Sequence, residues 1–521
     1  MAAASPSRRR RLLLLEIVTS SPARNQRAAW FPFFKGLAQG AGCRALWICV
    51  GARFGSSEGA RPGKAGLDLC AADREALLRR FAGFAPTHAL ANEPVGPGWE
   101  RLLRKSAPGC VFVTTEGEGR ETRARWLSGL LGIPARGNPY LVGTVEPDYD
   151  AIMLNALAGE CRPFLAILGG VSCGYRAGLS RNPYFRGVDL SGCRYRHGCS
   201  FCSAPRRPMS SLKGDPVGLA RAQFAAVLRT AGAGGRNCGR FEVRDARLFA
   251  RISDFFGMIF KLRLPPAEFF FAPRMDGLLR AGPELERLLP EIAARGHRLT
   301  LFRMVVEHFS PAENARFNKG LSPERIDRAL ALAARLRKDH PGAFDCADTT
   351  GYIAFTPWTT LDDLERSLRG GIERGFVPNG SWLYAALELQ RGTPIAALAS
   401  REGGVVRSRY DDAAMTYNMD NERRPRQGLL PWRFKDRRVA VACGIIVRVC
   451  ALSLRAVFPD ATFAGDPLYS WIEDFVDRMR LDMKRPDLFA AELVQAMRGA
   501  RPPWRRKDLI RRAFGRLRRR S

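Results

Sequence analysis

The sequence predicts an α/β protein with two strand–helix domains followed by a helical region. At 521 residues the chain is long enough for several domains of roughly 100–200 residues each. Two long segments alternate short apolar runs with amphipathic stretches, a pattern typical of parallel sheets with crossover helices. This alternation stops near Ser400. Because 46% of the chain is hydrophobic, a disordered chain is excluded, and the length excludes a single small module.

The first domain is predicted to span residues 11–160, after a basic tail at 1–10. Its strands are Leu12–Thr19, Ala45–Val50, Thr87–Ala91 and Val111–Thr115. Its helices are Trp30–Ala38, Ala72–Phe81, Trp99–Lys105 and Glu121–Leu131. This order predicts an open, doubly wound (Rossmann-like) domain. Because no G-x-G-x-x-G sequence follows the first strand, a dinucleotide cofactor is not expected.

Residues 161–186 read as a linker, and a second strand–helix series is predicted at 187–400. Its six strands are Gly187–Leu190, Phe241–Val243, Glu268–Ala272, Leu299–Val306, Tyr352–Phe355 and Trp382–Leu389. Helical sequence follows each of the first five. Six such units predict a partial barrel, whose functional site would lie at the carboxyl ends of the strands.

Residues 401–521 are predicted to form a helical C-terminal region with an Arg-rich tail. Its helices are Val439–Phe458, Leu468–Met479 and Leu488–Met497. The net charge of +32 suggests nucleic acid, but the two ends of the chain hold fourteen of these charges. We therefore expect a basic tail that is solvated or lies on a membrane surface, rather than one that contacts nucleic acid.

The apolar runs are too short or too interrupted to cross a membrane. Arg448 and Arg455 break the longest of them, and the run at Leu12–Leu15 ends at Glu16. A span needs about 20 mostly uncharged residues. The sequence therefore predicts no transmembrane segment and no signal-peptide core, and a cytoplasmic location is expected.

Three of the thirteen cysteines, Cys193, Cys199 and Cys202, lie within ten residues of each other. Close thiolates are ligands for a soft metal, and two kinds of site compete. An iron–sulfur cluster with one open iron needs three thiolates, whereas a structural zinc ion needs four ligands. The fourth zinc ligand would have to be His197, Cys173 or Cys238. A turn without any metal is the third alternative.

The C-x5-C-x2-C segment, with Phe201 before its last cysteine, resembles the cluster loop of radical S-adenosylmethionine enzymes. The commoner spacing in that family is two residues shorter between the first two cysteines. The resemblance implies a 4Fe-4S cluster held by Cys193, Cys199 and Cys202. It also implies that S-adenosylmethionine binds at the open iron.

Later segments resemble the same family in order, over roughly residues 187–397. Asp245 resembles the polar residue after the second strand, which contacts the methionyl amino group, and Arg274 the polar end of the third. Glu307 and Ser310 resemble the end of the fourth. The resemblance therefore implies cofactor-binding roles for Phe201, Asp245, Arg274, Glu307 and Ser310. From the residues alone, the two carboxylates could equally lie on the surface.

The first domain and the connector after it are similar to the cobalamin-binding subclass of this family. The motif Asp-x-His-x-x-Gly, which supplies a cobalt ligand there, is absent, and His88 lacks the flanking pattern. Cobalamin therefore remains open as a cofactor.

The reaction implied is formation of a 5′-deoxyadenosyl radical, with cobalamin-dependent methyl transfer or a rearrangement if cobalamin is present. The catalytic residues and the substrate, a small molecule or a peptide, cannot be read from the sequence. The resemblance also implies an electron-donor protein. The competing hypothesis is a nonenzymatic nucleic-acid-binding protein with a structural zinc site.

Overall fold

The structure is a computed structural model of the chain. It describes residues 10–18, 30–51, 53–54, 67–92, 95, 97–114, 127, 129, 145–161, 165–169, 173–202, 215–230, 239–302, 304–346, 352–375, 381–407, 430–453, 463, 465–481 and 483–519. These residues form an α/β protein with two five-stranded sheets, and every strand pair recorded in those two sheets is parallel.

The first sheet has the strand order β6-β5-β1-β2-β7. Its strands are β1 (Arg11–Val18), β2 (Arg44–Gly51), β5 (His88–Ala91), β6 (Val111–Thr114) and β7 (Ile152–Met153), and β3 (Arg53–Phe54) and β4 (Leu67–Asp68) pair separately. Its helices are α1 (Phe31–Gly40), α2 (Ala71–Phe84), α3 (Pro97–Ser106) and α4 (Ala156–Cys161).

Both faces of this sheet are buried, because side chains alternate along each strand. On β1, Leu12 and Leu14 pack with the phenylalanines of α1, whereas Leu13 and Leu15 pack with apolar residues of α2 and α3. The four strands predicted for this domain are confirmed among the described residues. The helix predicted at 121–131 lies almost entirely outside them.

The second sheet has the order β8-β9-β10-β11-β12. Its strands are β8 (Leu165–Leu168), β9 (Arg240–Arg244), β10 (Glu268–Phe271), β11 (Arg298–Leu301) and β12 (Phe344–Cys346). Its helices are α5 (Pro216–Thr230), α6 (Ala246–Ala250), α7 (Ile252–Leu262), α8 (Met275–Ala294), α9 (Pro311–Arg316), α10 (Pro323–Asp339), α11 (Leu361–Glu373) and α12 (Pro394–Arg401). Edge-to-face rings, such as Phe224 against Phe241, fill its core.

The prediction for the start of this sheet is wrong. Residues 187–190 form no strand; Gly187 has a φ of +71° and lies in a turn, and residues 188–190 have no regular secondary structure. The first strand is instead β8, in the segment predicted as a linker. Its apolar run of four residues directly follows Pro163 and Phe164, and Gly169 and Gly170 follow it, so it is too short to stand out from a loop.

Three predicted strands are shorter in the structure. The strand expected at 299–306 ends at Leu301. The strands expected at 352–355 and 382–389 are replaced by two isolated parallel bridges, which join Glu307 to Tyr352 and Phe355 to Ala386. The described residues therefore form a five-stranded sheet where the sequence predicts six strands.

The C-terminal region is helical, as expected. Its helices are α13 (Arg437–Ser453), α14 (Pro467–Arg478), α15 (Pro486–Arg498) and α16 (Arg506–Arg518). The expectation of an exposed tail is wrong, because one face of α16 is buried in the same hydrophobic core as residues of α11 and α12. The buried residues of α16 are Leu509, Ile510, Ala513 and Phe514. No helix among the described residues is long and apolar enough to cross a membrane.

Candidate functional site at the carboxyl ends of the second sheet

Three residues that lie at or just after the ends of neighbouring strands mark one edge of the second sheet. Gly169 follows β8, Asp245 follows β9, and Arg274 stands three residues after β10. Because parallel strands end at the same edge, these residues share one side of the sheet. We call this edge the rim.

The loop that carries the cysteines, residues 193–202, lies against the rim. The Arg274 guanidinium is 3.5 Å from Cys199 Sγ. Ser200 is fully buried, and its hydroxyl donates to the Arg316 carbonyl at 2.7 Å, while its amide donates to the Phe317 carbonyl. The sequence alone could not show these long-range contacts, which hold the middle of the loop at the functional edge.

The three thiols differ in environment. Cys199 is 5% exposed, whereas Cys193 and Cys202 are half-buried. Burial, together with the nearby Asp189 carboxylate, raises the pKa of the Cys193 thiol. The Tyr195 hydroxyl donates to the Cys202 carbonyl, which fixes the end of the loop.

The donor set matches an iron–sulfur cluster in kind and number, since it offers three thiols in one loop. The arrangement is less complete: among the residues that the structure describes, no three His, Cys, Asp or Glu side chains are grouped so that they could hold a metal ion. Cys193 is farther from Cys199 in the sequence than Cys202 is. The turn that contains Cys193 is bonded to the segment before α12, because the Arg194 amide donates to the Gly392 carbonyl at 2.8 Å.

Two of the predicted cofactor-binding residues have structural contacts. The Phe201 ring packs edge-to-face on Phe317, with 5.2 Å between centroids. Ser310 is fully buried and caps α9, and its hydroxyl donates to the Asp363 carboxylate. Both side chains therefore have packing or capping contacts within the chain.

Asp245 is on the rim, as the sequence predicts, but its carboxylate is already occupied. The side chain is fully buried and caps α6 by accepting from the Arg247 amide at 2.8 Å. The Arg247 guanidinium pairs with the same carboxylate at 2.7 Å and also donates to the Gly169 carbonyl. A cofactor amino group could reach Asp245 only by displacing Arg247.

Arg274 makes the most contacts of the predicted residues. Besides Cys199 Sγ, it donates to Asp276 at 2.9 Å and to the Lys319 carbonyl at 2.7 Å. Its guanidinium also stacks on the Tyr175 ring, 3.8 Å from the centroid. It therefore links the Cys loop to the third strand end.

Glu307 combines burial, charge and a strained backbone. Its φ of +68° lies in the left-handed region, which residues other than glycine seldom adopt. Its carboxylate accepts from the Lys319 ammonium at 2.9 Å, and the side chains of Lys319 and Glu307 are only 7% and 8% exposed. Backbone strain of this kind clusters at functional sites.

Lys319 and Tyr175 are site residues that the sequence reasoning missed. A signal for Lys319 was present, since lysine is rare in this chain, at ten of 83 basic residues. Gly320, beside it, has a φ of +67°, and a Cβ there would clash with the Tyr175 hydroxyl. No sequence signal pointed to Tyr175.

A buried polar cluster lies beside the rim under α9 and α11. The Glu313 carboxylate accepts from Arg316 at 2.8 Å and from the Thr356 hydroxyl at 3.1 Å, yet burial raises its pKa to about 7. Burial also lowers the pKa of His308 to about 3, so this imidazole is neutral at physiological pH. The Ser367 hydroxyl is 2.8 Å from His308 Nδ1.

No protein-family model matches the chain, and no curated protein matches it either.

Proposed function

We propose that this chain is an iron–sulfur enzyme of the radical S-adenosylmethionine type. One observation carries the proposal: a loop with three cysteines in ten residues lies on the carboxyl-end rim of a parallel sheet, and Arg274 contacts its central thiol. The second sheet would then be the partial barrel of that family. Active sites of parallel α/β folds lie at this edge.

Cys193, Cys199 and Cys202 would hold the 4Fe-4S cluster. When bound, such a cluster supplies the electron that cleaves S-adenosylmethionine to a 5′-deoxyadenosyl radical. The chain's own residues have the tasks of binding and of excluding water. Lys319 pairs with the Glu307 carboxylate, and Arg274, which stacks on Tyr175, contacts Cys199 Sγ.

For the first domain we propose a cobalamin-type fold that does not use His88 as a ligand. His88 is the first residue of β5, so it stands at the amino end of the strand. Ligands of doubly wound sheets bind at the opposite edge. At that edge Asn92 is fully buried, and its side chain exchanges two hydrogen bonds with the Ile17 backbone.

The test is anaerobic reconstitution of the full chain with iron and sulfide. We expect about four iron and four sulfide ions per chain and a broad visible absorbance. Cys199→Ala and Cys202→Ala should each abolish both. Cys70→Ala is the matched control, because Cys70 is exposed and lies in the first domain. The reduced protein should convert S-adenosylmethionine to 5′-deoxyadenosine.

Stoichiometric zinc without iron would overturn the proposal and favour the structural-zinc alternative. In that case, binding of nucleic acid that weakens steeply with salt would show that the chain is a nucleic-acid-binding protein.

A separate measurement tests for cobalamin. The protein is incubated with hydroxocobalamin and desalted, and the cobalt that stays bound is measured. Bound cobalt that disappears in His88→Ala would contradict a cobalamin site without His88.

A further inference from the structure

A cavity of about 640 Å³ lies between α9, the start of α11 and the start of α13. Three aromatic side chains form part of its wall: Tyr184, Trp358 and Trp504. Trp358 follows the isolated bridge at Phe355 and lies just before α11. Small-molecule sites commonly have volumes of about 300–1,000 Å³ and aromatic walls. The cavity therefore has the size and lining of such a site.

Arg316 connects this cavity to the cysteines. The Arg316 carbonyl accepts from the buried Ser200 hydroxyl at 2.7 Å, and Ser200 lies between Cys199 and Cys202 in the sequence. The Arg316 guanidinium lies in the cavity wall, 4.7 Å from the Tyr184 ring and 5.8 Å from the Trp358 ring. A ligand in the cavity would thus be close to the Cys loop.

The cavity wall carries more positive than negative charge. Its basic residues are Arg316, Lys435, Arg437 and Arg438, and its acidic residues are Glu402 and Asp436. Glu402 is held by the Trp358 indole at 2.6 Å and pairs with Lys435. Because Glu313, the partner of Arg316, has a pKa of about 7, it neutralises that arginine only in part at neutral pH. A wall with a net positive charge favours ligands of the opposite sign.

The start of α13 is the second sign of an anion. This helix has seventeen residues, begins with Arg437 and Arg438, and has no acidic residue in its first turn. Positive charge at a helix N-terminus is unfavourable, because the helix dipole is positive there. The Asp436 carboxylate accepts from the Arg438 amide and pairs with the Arg438 guanidinium, so it offsets one of the two charges. The exposed Arg437 side chain makes no hydrogen bond or ion pair with any residue that the structure describes. Its charge is available to a ligand.

We infer that this cavity binds a small aromatic anion, a planar ring that carries a carboxylate or a phosphate. The rings of Tyr184, Trp358 and Trp504 would contact its flat face, and Arg437 would pair with its anionic group. S-adenosylmethionine fits less well, since its sulfonium and ammonium groups are positive. The identification of this ligand as the substrate rests on the proposed function. Its binding to the cavity is independent of that function.

Calorimetric titration of the full chain tests this, with two pairs of probes. Indole-3-acetate is compared with indole-3-acetamide, and adenosine monophosphate with adenosine, so each pair differs in its anionic group. We expect at least one anion to bind about tenfold tighter than its neutral partner. The pair that discriminates identifies carboxylate or phosphate as the recognised group.

Arg437→Gln should remove this discrimination, and Trp504→Leu should weaken both members of the pair. Arg433→Gln is the matched control, because Arg433 is exposed on the same segment but does not line the cavity. Equal binding of the anion and its neutral partner, no binding of any probe at millimolar concentration, or an equal effect of Arg433→Gln would each overturn the inference. Iron content is measured on the same samples, so loss of the cluster is distinguished from loss of this binding.

Discussion

The Lys319 ammonium lies 2.9 Å from the Glu307 carboxylate, and less than a tenth of either side chain is exposed. Water therefore cannot compensate either charge if the other is removed. Glu307 also has a φ of +68°, at the point where the chain bridges to Tyr352. A buried ion pair and a strained backbone thus coincide at one residue.

Lys319→Met should destabilise the protein strongly, because it leaves the Glu307 carboxylate buried without a cation. Breaking one partner of a buried pair costs about 3–5 kcal/mol. Urea denaturation followed by circular dichroism measures the loss. The double variant Lys319→Met/Glu307→Gln should regain part of it, since no charge is then left unpaired.

The control is Arg79→Met, which breaks an exposed pair with Glu75 on α2. Exposed pairs contribute little, so no resolvable change is expected. If the double variant is as unstable as Lys319→Met, packing of the lysine stem and not the charge pair is responsible.

Arg274→Lys should expose Cys199 to thiol reagents. Lysine keeps the positive charge but cannot stack flat on Tyr175 or reach Cys199, Asp276 and the Lys319 carbonyl together. Loss of these contacts should make local opening easier and speed labelling of Cys199 by about tenfold. Alkylation with iodoacetamide, with the labelled peptide identified by mass spectrometry, measures the rate.

Arg280→Lys provides the comparison on the same helix, because Arg280 is exposed and also pairs with Asp276. It should leave the labelling rate unchanged. Equal acceleration in both variants would mean that α8, and not the contact with Arg274, controls access to the thiol.

The sequence predicted the first sheet well because its signal is local. A parallel strand buried on both faces reads as a continuous apolar run, and Leu12–Leu15 is one. It failed for β8, whose four residues are too few to distinguish a strand from a loop. The contacts of Lys319 and Tyr175 could not be predicted, since they join residues that are distant in the sequence. The sequence also places Asp245 directly after a strand, but it does not show that Arg247 pairs with the Asp245 carboxylate.

Glu313→Gln should change how stability depends on pH. The folded pKa of Glu313, about 7, is raised above the ordinary value of 4.5. The stability associated with its protonation is therefore fully present below pH 4.5 and is lost as the pH rises through about 7. Relative to Glu313→Gln, the parent should lose about 3 kcal/mol between pH 4.5 and pH 8.

Denaturant midpoints at pH 5, 6, 7 and 8 measure this difference. Glu286→Gln removes an exposed carboxylate that pairs with Arg335, and it shows how much of the effect comes from a change in net charge. A parent and a Glu313→Gln variant with parallel pH profiles would show that Glu313 is ionised throughout.

The basic C-terminal segment should be essential for stability, in contrast to the expectation from its charge. Although α16 is rich in arginine, one face of the helix is apolar and buried. This face is formed by Leu509, Ile510, Ala513 and Phe514. The Phe514 ring is 2% exposed and lies 4.5 Å from the Phe489 ring of α15. Phe514→Ala should therefore cost about 3–5 kcal/mol.

Arg512→Ala tests the alternative on the same helix. Arg512 is exposed, and its removal lowers the positive charge without opening the core, so thermal unfolding should be unchanged within error. Deletion of residues 500–521 would remove both the apolar face of α16 and Trp504 from the cavity wall, and it should lower the unfolding temperature as well as abolish binding of the aromatic anion. If Phe514→Ala and Arg512→Ala unfold at the same temperature as the parent, α16 is a detachable tail, and Trp504 belongs to the cavity by proximity alone.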